Sequence, residues 1–114
     1  MHEVSLAQSL LDVLEESARE QGITRVHRVK VVVGQWSAVL PEALSTSFEL
    51  LAAHVGPPLT GAELTIAVNP AVGECTTCGE RYDADEKGLS CPACGGTARL
   101  VSGTELYIDS YEGE

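Results

Sequence analysis

The feature that most constrains this chain is a set of four cysteines arranged as two Cys-x-x-Cys pairs. Cys75 and Cys78 form the first pair, and twelve residues separate it from the second pair, Cys91 and Cys94. A glycine follows each pair, and it lets the chain turn tightly so that backbone N–H groups can point at sulfur. Two such pairs supply the four thiolates of a tetrahedral Zn²⁺ site. The spacing therefore predicts a structural zinc site that is closed by protein ligands.

Other uses of the four cysteines fit the sequence less well. A redox dithiol needs one Cys-x-x-Cys pair beside a βαβ unit, and the sequence does not predict that unit. A rubredoxin-like iron site separates its pairs by a longer, aromatic-rich segment, whereas this linker contains Tyr82 as its one aromatic residue. The segment Met1–Val4 lacks the regions of a signal peptide, and no stretch approaches the ~18 apolar residues of a membrane span. We therefore expect a cytoplasmic protein in which cysteines bind metal rather than form disulfides.

The charge balance argues against nucleic acid as a partner. The chain has 17 acidic residues against 7 Lys and Arg, which gives a formal net charge of −10. Phosphate contacts need clustered basic residues, and a strongly negative protein repels the backbone. A zinc-ribbon module that binds protein or nucleic acid stays as the alternative function, and its nucleic-acid form would require a basic face with aromatic residues.

Apolar residues recur every three or four positions in two segments, and this periodicity predicts amphipathic helices. The first segment extends from Val4 to about Gln21 and the second from Pro41 to about His54. The expected apolar face of the first helix comprises Val4, Ala7, Leu10, Leu11, Leu14 and Ala18. The expected apolar face of the second comprises Leu44, Phe48, Leu51 and Val55.

Three other segments predict strands, because apolar residues alternate in them and β-branched residues are frequent. They are Val26–Val33, Glu63–Val68 and Glu105–Tyr111. The side chains expected on one face are Val29, Val31 and Val33 in the first strand, Leu64, Ile66 and Val68 in the second, and Leu106 and Ile108 in the third.

These elements predict an α+β fold in which two helices pack on a three-stranded mixed sheet. The four cysteines lie between the second and third predicted strands, so they form an inserted zinc-ribbon-like module. We expect residues 1–70 to make the α+β domain, which residues 101–114 complete as the final strand. Residues 71–100 make the zinc-binding module, and we expect it to depend on metal because it has few large apolar residues.

The first three residues form a second potential metal site. The donors are the α-amine of Met1, the amide nitrogen and imidazole of His2, and the amide or carboxylate of Glu3. Near-planar nitrogen and oxygen donors suit Ni²⁺ or Cu²⁺ better than tetrahedral Zn²⁺. The sequence contains neither a Ser/His/Asp signature nor a phosphate-binding loop, so we expect no enzymatic activity.

The chain resembles the HypA/HybF family of nickel-delivery proteins for hydrogenase maturation. The resemblance rests on MHEVSLAQSLLD, VVVGQWSAVLPEAL, GAELTI, CTTCG, CPACGG and GTELYIDSYE in this order. It implies a metallochaperone with a nickel site at Met1, His2 and Glu3 and a zinc site at Cys75, Cys78, Cys91 and Cys94.

The resemblance also implies partners for this metallochaperone. These are a HypB-type GTPase and the large subunit of [NiFe]-hydrogenase, with urease as a further nickel enzyme in some organisms. We expect no nucleic acid or membrane partner and a monomer or weak homodimer. Nickel, Ni(II), is then a transient cargo and Zn(II) a structural cofactor.

Overall fold

The computed structural model describes residues 2–114, and for His2 it describes the backbone alone. Met1 and the His2 side chain lie outside the described residues. The helices and strands follow one another as α1 His2–Gln21, β1 Val26–Gly34, α2 Pro41–Val55, β2 Glu63–Asn69, β3 Val72–Cys75, β4 Arg81–Asp83, α3 Ala84–Lys87, β5 Ala98–Ser102 and β6 Leu106–Gly113. The strands form two three-stranded sheets, with orders β2-β1-β6 and β4-β3-β5. None of the helices within residues 2–114 has the length and apolarity needed to cross a membrane.

The chain divides into two compact units. Within the described residues, the first comprises residues 2–32, 39–67 and 107–114, and the second comprises residues 33–38 and 68–106. The predicted α+β class is confirmed, and so are the two long helices and the three long strands. β1 is the central strand of its sheet, between the two strands that flank the cysteine module in sequence.

The core of the first unit is aliphatic, with a single aromatic residue. α1 and α2 pack against each other. The fully buried larger side chains of this unit are Leu11, Leu14, Val26, Val29, Val31, Leu44, Phe48 and Leu59. Val29 and Val31 alternate with exposed Arg28 and Lys30, as predicted for a strand with one face against the core.

Some predicted apolar positions are wrong. Val4 is 48% exposed because it lies in the first turn of α1, before the buried stripe that begins near Ala7. In α2 the buried stripe follows a spacing of four residues, Leu44, Phe48 and Ala52, so Val55 lies outside it and is 41% exposed. Val68 is also exposed, because it lies near the end of the edge strand β2.

The second unit contains elements that the sequence pattern does not predict. β3 is its central strand and pairs antiparallel with both β4 and β5. Glu74 on β3 lies in register with Arg81 on one side and Arg99 on the other, and its carboxylate forms an ion pair with each guanidinium. The sheet places Cys75 at the end of β3.

Candidate metal centre

Each cysteine pair lies in a tight turn with the same backbone pattern. In the first, the Gly79 N–H donates to the Cys75 carbonyl at 3.0 Å, and Gly79 has a φ of +78°. In the second, the Gly95 N–H donates to the Cys91 carbonyl at 2.8 Å, and Gly95 has a φ of +73°. Glycine adopts this left-handed conformation without the penalty that a Cβ atom imposes. The two Cys-x-x-Cys-Gly segments are therefore structural equivalents.

The four sulfurs converge on one point between the two turns. The Cys75 and Cys94 sulfurs are 3.5 Å apart, and those of Cys78 and Cys91 are 3.6 Å apart. All four lie within 4.8 Å of one another. A disulfide bond is about 2.05 Å long, so neither pair is bonded. Tetrahedral coordination with Zn–S bonds of about 2.3 Å separates sulfurs by about 3.8 Å, and the observed spacing fits that geometry.

Burial divides the cluster into an inner and an outer pair. Cys75 and Cys91 are each 3% exposed, whereas Cys78 and Cys94 are exposed. Each turn therefore contributes one inner and one outer sulfur. Within the described residues, these cysteines form the one group of three or more His, Cys, Asp or Glu side chains placed to share an ion.

Backbone N–H groups favour negative charge on one of the inner sulfurs. The N–H groups of Cys78 and Thr77 both donate to the Cys75 sulfur at 3.4 Å, and they lower the pKa of Cys75 to about 6. For Cys78, the Glu80 N–H lowers the pKa, but the sulfurs of Cys91 and Cys75 together with burial raise it by more. The pKa of Cys78 is therefore about 12.

Cys94 behaves in the same way as Cys78. The Gly96 N–H lowers its pKa, but the Cys75 sulfur, with smaller contributions from Cys91 and burial, gives a net increase. Sulfurs this close repel one another when charged, so all four thiolates require a cation between them. A divalent ion removes the repulsion, and coordination deprotonates thiols. The donor set is therefore that of a soft, tetrahedral ion such as Zn²⁺.

Gly96 borders this cluster and was not singled out by sequence reasoning. A Cβ atom at this position would lie 3.2 Å from the Thr77 hydroxyl and 3.3 Å from the sulfurs of Cys75 and Cys94. The second glycine of CPACGG is the sequence signal for this close approach. A Cβ atom here would require the neighbouring atoms to move by a few tenths of an ångström.

Tyr82 on β4 packs against Gly73 of the neighbouring strand β3. Its ring lies over Gly73, where a Cβ atom would be 2.9 Å from the ring. Burial and the charges of Cys91 and Cys75 raise the pKa of Tyr82. The hydroxyl therefore stays protonated beside the cluster.

The single tryptophan belongs to the same unit. The Trp36 indole N–H donates to the Asp85 carboxylate at 3.0 Å, and the Trp36 backbone N–H donates to the Gly103 carbonyl. The structure shows a partly exposed ring tied to α3 through its indole nitrogen.

The predicted nickel residues are only partly described. Met1 and the His2 side chain lie outside the described residues. Glu3 lies in the first turn of α1, and one of its carboxylate oxygens accepts the backbone N–H of Leu40 at 3.3 Å. The other two histidines lie on the surface, where His27 contacts Glu114 at 2.9 Å and His54 lies in the last turn of α2.

Comparisons with known proteins agree over the whole chain. The family described as "Hydrogenase/urease nickel incorporation, metallochaperone, hypA" matches residues 1–113. The chain belongs to the HypA family. It is 44% identical to the hydrogenase maturation factor HypA of Moorella thermoacetica, with 100% of both chains covered. It is 46% identical to that of Deinococcus radiodurans, with 95% of this chain and 89% of the relative covered.

Solved HypA structures share the fold. One, described as the solution structure of HypA protein, has a TM-score of 0.77 at 25% identity and covers 100% of this chain and 97% of its own. The solution structure of the Ni metallochaperone HypA from Helicobacter pylori has a TM-score of 0.72 at 24% identity, with 97% and 96% covered. The predicted family is confirmed, and it is a metallochaperone family of hydrogenase maturation with, here, a cysteine cluster compatible with zinc.

Proposed function

We propose that this HypA protein carries Ni(II) at its N-terminus and delivers it during maturation of [NiFe]-hydrogenase. The nickel donors would be the α-amine of Met1, the amide and imidazole nitrogens of His2, and Glu3. The observation that carries the proposal is the match of residues 1–113 to a nickel-incorporation metallochaperone family. Met1, His2 and Glu3 contain the donors that such a site needs.

The two metal sites would differ in exchange behaviour because they differ in coordination. Four protein thiolates saturate a tetrahedral ion, so the site at Cys75, Cys78, Cys91 and Cys94 would hold Zn(II) as a structural ion. A carrier must instead release its cargo. A terminal site with few ligands is open to an incoming ligand from a partner, and ligand exchange can then move nickel to a deeper site.

The position of α1 supports nickel binding by backbone nitrogen. α1 begins at His2, so the amides of His2 and Glu3 belong to its first turn. The first four N–H groups of a helix have no acceptor within the helix. Nickel can therefore replace an amide proton there without breaking a helical hydrogen bond.

The proposed delivery involves other proteins. We propose a HypB-type GTPase as the source of energy and the [NiFe]-hydrogenase large subunit as recipient, with urease as a further recipient, all in the cytoplasm. The protein itself would be non-catalytic and a monomer or weak homodimer. Residues 1–70 with 101–114 would carry nickel, and residues 71–100 would carry zinc.

Metal analysis of the untagged protein tests this proposal. The parent, a His2→Ala variant and a His54→Ala control are loaded with nickel, desalted and analysed for both metals. His54 is an exposed histidine on α2, so it controls for surface imidazoles. We expect one zinc and one nickel per chain in the parent and the control, and zinc alone in His2→Ala. Equal nickel in all three would refute the N-terminal assignment.

A second preparation tests the α-amine. An added residue before Met1 moves the amine away from His2, so nickel binding should weaken while zinc content is unchanged. Unchanged nickel affinity would remove the amine from the site. If no preparation binds nickel, the alternative of a zinc-ribbon interaction module without nickel function is favoured.

A further inference from the structure

One hydrogen bond joins the beginnings of the two long helices. The backbone N–H of Leu40 donates to Oε2 of Glu3 at 3.3 Å, across 37 positions of sequence. Both residues belong to the first unit, in which α1 and α2 pack against each other. The bond connects the segment that starts with Met1 and His2 to a residue anchored at the start of α2.

The contact lies at the N-terminus of α2, where the N-cap side chain makes no capping hydrogen bond. Leu40 is the N-cap, with extended backbone angles of φ −88° and ψ 111°, and it has no side-chain capping hydrogen bond. Pro41 follows and has no N–H to offer. The N–H of Leu40 is thus the donor directly before α2, and Glu3 supplies its acceptor.

The Glu3 carboxylate also lies at a favourable electrostatic position. It is in the first turn of α1 and contacts the residue that caps α2. The N-terminus of a helix carries partial positive charge, which favours a nearby carboxylate.

We propose that the Glu3 carboxylate, held by the Leu40 N–H, is a positioning residue for nickel rather than a nickel ligand. The inference rests on the proposed nickel site. Chain termini fray unless they are held down. By fixing residue 3 to Leu40, the carboxylate restrains the backbone at the start of α1, and a preorganised chelate loses less entropy when it binds.

Positioning and ligation by Glu3 make opposite demands on the side chain. A hydrogen bond from Leu40 needs an oxygen acceptor, which glutamine also provides. Ligation needs a carboxylate. A Glu3→Gln variant therefore keeps the positioning role and loses the ligand, whereas Glu3→Ala loses both. A Leu40→Pro variant removes the donor N–H and keeps the carboxylate, and the φ of Leu40 is near the value that proline requires.

Nickel titration of these variants tests the inference. Leu40→Ala is the matched control, because it keeps the N–H and removes a side chain that is 64% exposed. We expect nickel dissociation constants to rise about three- to tenfold in Glu3→Ala and Leu40→Pro, the range for one lost hydrogen bond. Glu3→Gln and Leu40→Ala should stay within about twofold of the parent. Zinc content and helical circular dichroism verify the fold of each variant.

Amide exchange provides a readout without metal. The Leu40 N–H should be protected in the parent and in Glu3→Gln, and it should exchange faster in Glu3→Ala. Amide exchange at Leu40, together with the nickel affinities of Glu3→Gln and Glu3→Ala, distinguishes positioning from ligation even if Leu40→Pro does not fold.

Two outcomes would overturn the inference. If Glu3→Gln loses as much nickel affinity as Glu3→Ala while Leu40→Pro binds as the parent does, the carboxylate is a ligand. In that case nickel loss in His2→Ala would leave the proposed function standing. If His2→Ala keeps its nickel, the proposed function and this inference both fail.

Discussion

A methyl group at residue 96 should weaken zinc binding without removing a ligand. Gly96→Ala places a Cβ atom 3.2 Å from the Thr77 hydroxyl and 3.3 Å from the Cys75 and Cys94 sulfurs. Optimal contacts between non-bonded atoms are about 3.5–4.0 Å, so the neighbours must move by a few tenths of an ångström. The two sulfurs come from different turns, so the displacement changes the spacing between the halves of the site.

The size of the effect follows from how little the site can adjust. Metal–ligand distances in well-formed sites lie within about 0.2 Å of their expected values, which is comparable with the required shift. Extra methyl groups in packed regions cost about 1–3 kcal/mol. At about 1.4 kcal/mol per factor of ten, zinc affinity should fall about 5- to 140-fold. The four thiolates remain, so zinc should still bind with one ion per chain.

A competition titration against a chromophoric zinc chelator measures this change. Gly88→Ala is the control, because a Cβ atom at this position of the same unit meets nothing within 4 Å. Its φ of +74° still imposes backbone strain of about 1–2 kcal/mol, so the control corrects for a general loss of stability. If Gly96→Ala binds zinc as tightly as the parent, or loses no more affinity than Gly88→Ala, the steric argument is wrong.

Three further results are expected. Removal of zinc by a chelator should shift the fluorescence of Trp36, because the hydrogen bond to Asp85 ties its ring to the second unit. An unchanged spectrum would show that this unit keeps its structure without metal. Phe48→Ala should lower the free energy of unfolding by about 3–5 kcal/mol in urea titrations, because Phe48 is fully buried, and a loss below about 1 kcal/mol would contradict its place in the core. The backbone N–H groups of Glu105 itself and Gly103 lower the pKa of the Glu105 carboxyl. The ionised carboxylate therefore stabilises the folded protein at pH values above the unfolded-state pKa, near 4.3. This stabilisation is lost as pH falls through the lower pKa of the folded state. Glu105→Gln should therefore be less stable than the parent at pH 7 and differ least in acid, and equal stability at pH 7 would refute this role.

The elements that the sequence predicts well are those in which the hydrophobic pattern repeats over many residues. The segment predicted from Val26 to Val33 is β1, and the helix predicted to begin at Pro41 does so. Over nine or more residues, the hydrophobic pattern indicates one buried face even where single positions deviate from it. Errors occur at the ends, as at Val4, where a residue in phase with the stripe lies beyond the packed part.

The elements that sequence reasoning misses are short and lie between the cysteine pairs or beside them. β4 and α3 have three and four residues, too few to show a period. Metal ligation can stabilise such a segment without a large apolar core, so hydrophobic patterning carries little information there. The division of the chain at residues 70 and 100 stays a prediction.

In the candidate sites too, the sequence predicts local features and misses contacts between distant residues. Spacing predicts that the four cysteines converge, because each turn is local and its glycine is visible in the sequence. The contact between Glu3 and Leu40 has no such signal. It joins a side chain to a backbone N–H 37 positions away, and backbone donors are present at almost every residue.

The central claim is that two metals occupy two sites of different chemistry. X-ray absorption at the nickel and zinc edges of one nickel-loaded preparation tests it most directly. The account predicts nickel bound by nitrogen and oxygen donors that include imidazole, with no sulfur, and zinc bound by four sulfurs at about 2.3 Å. Sulfur ligands on nickel would place the cargo in the cysteine cluster and would contradict the claim.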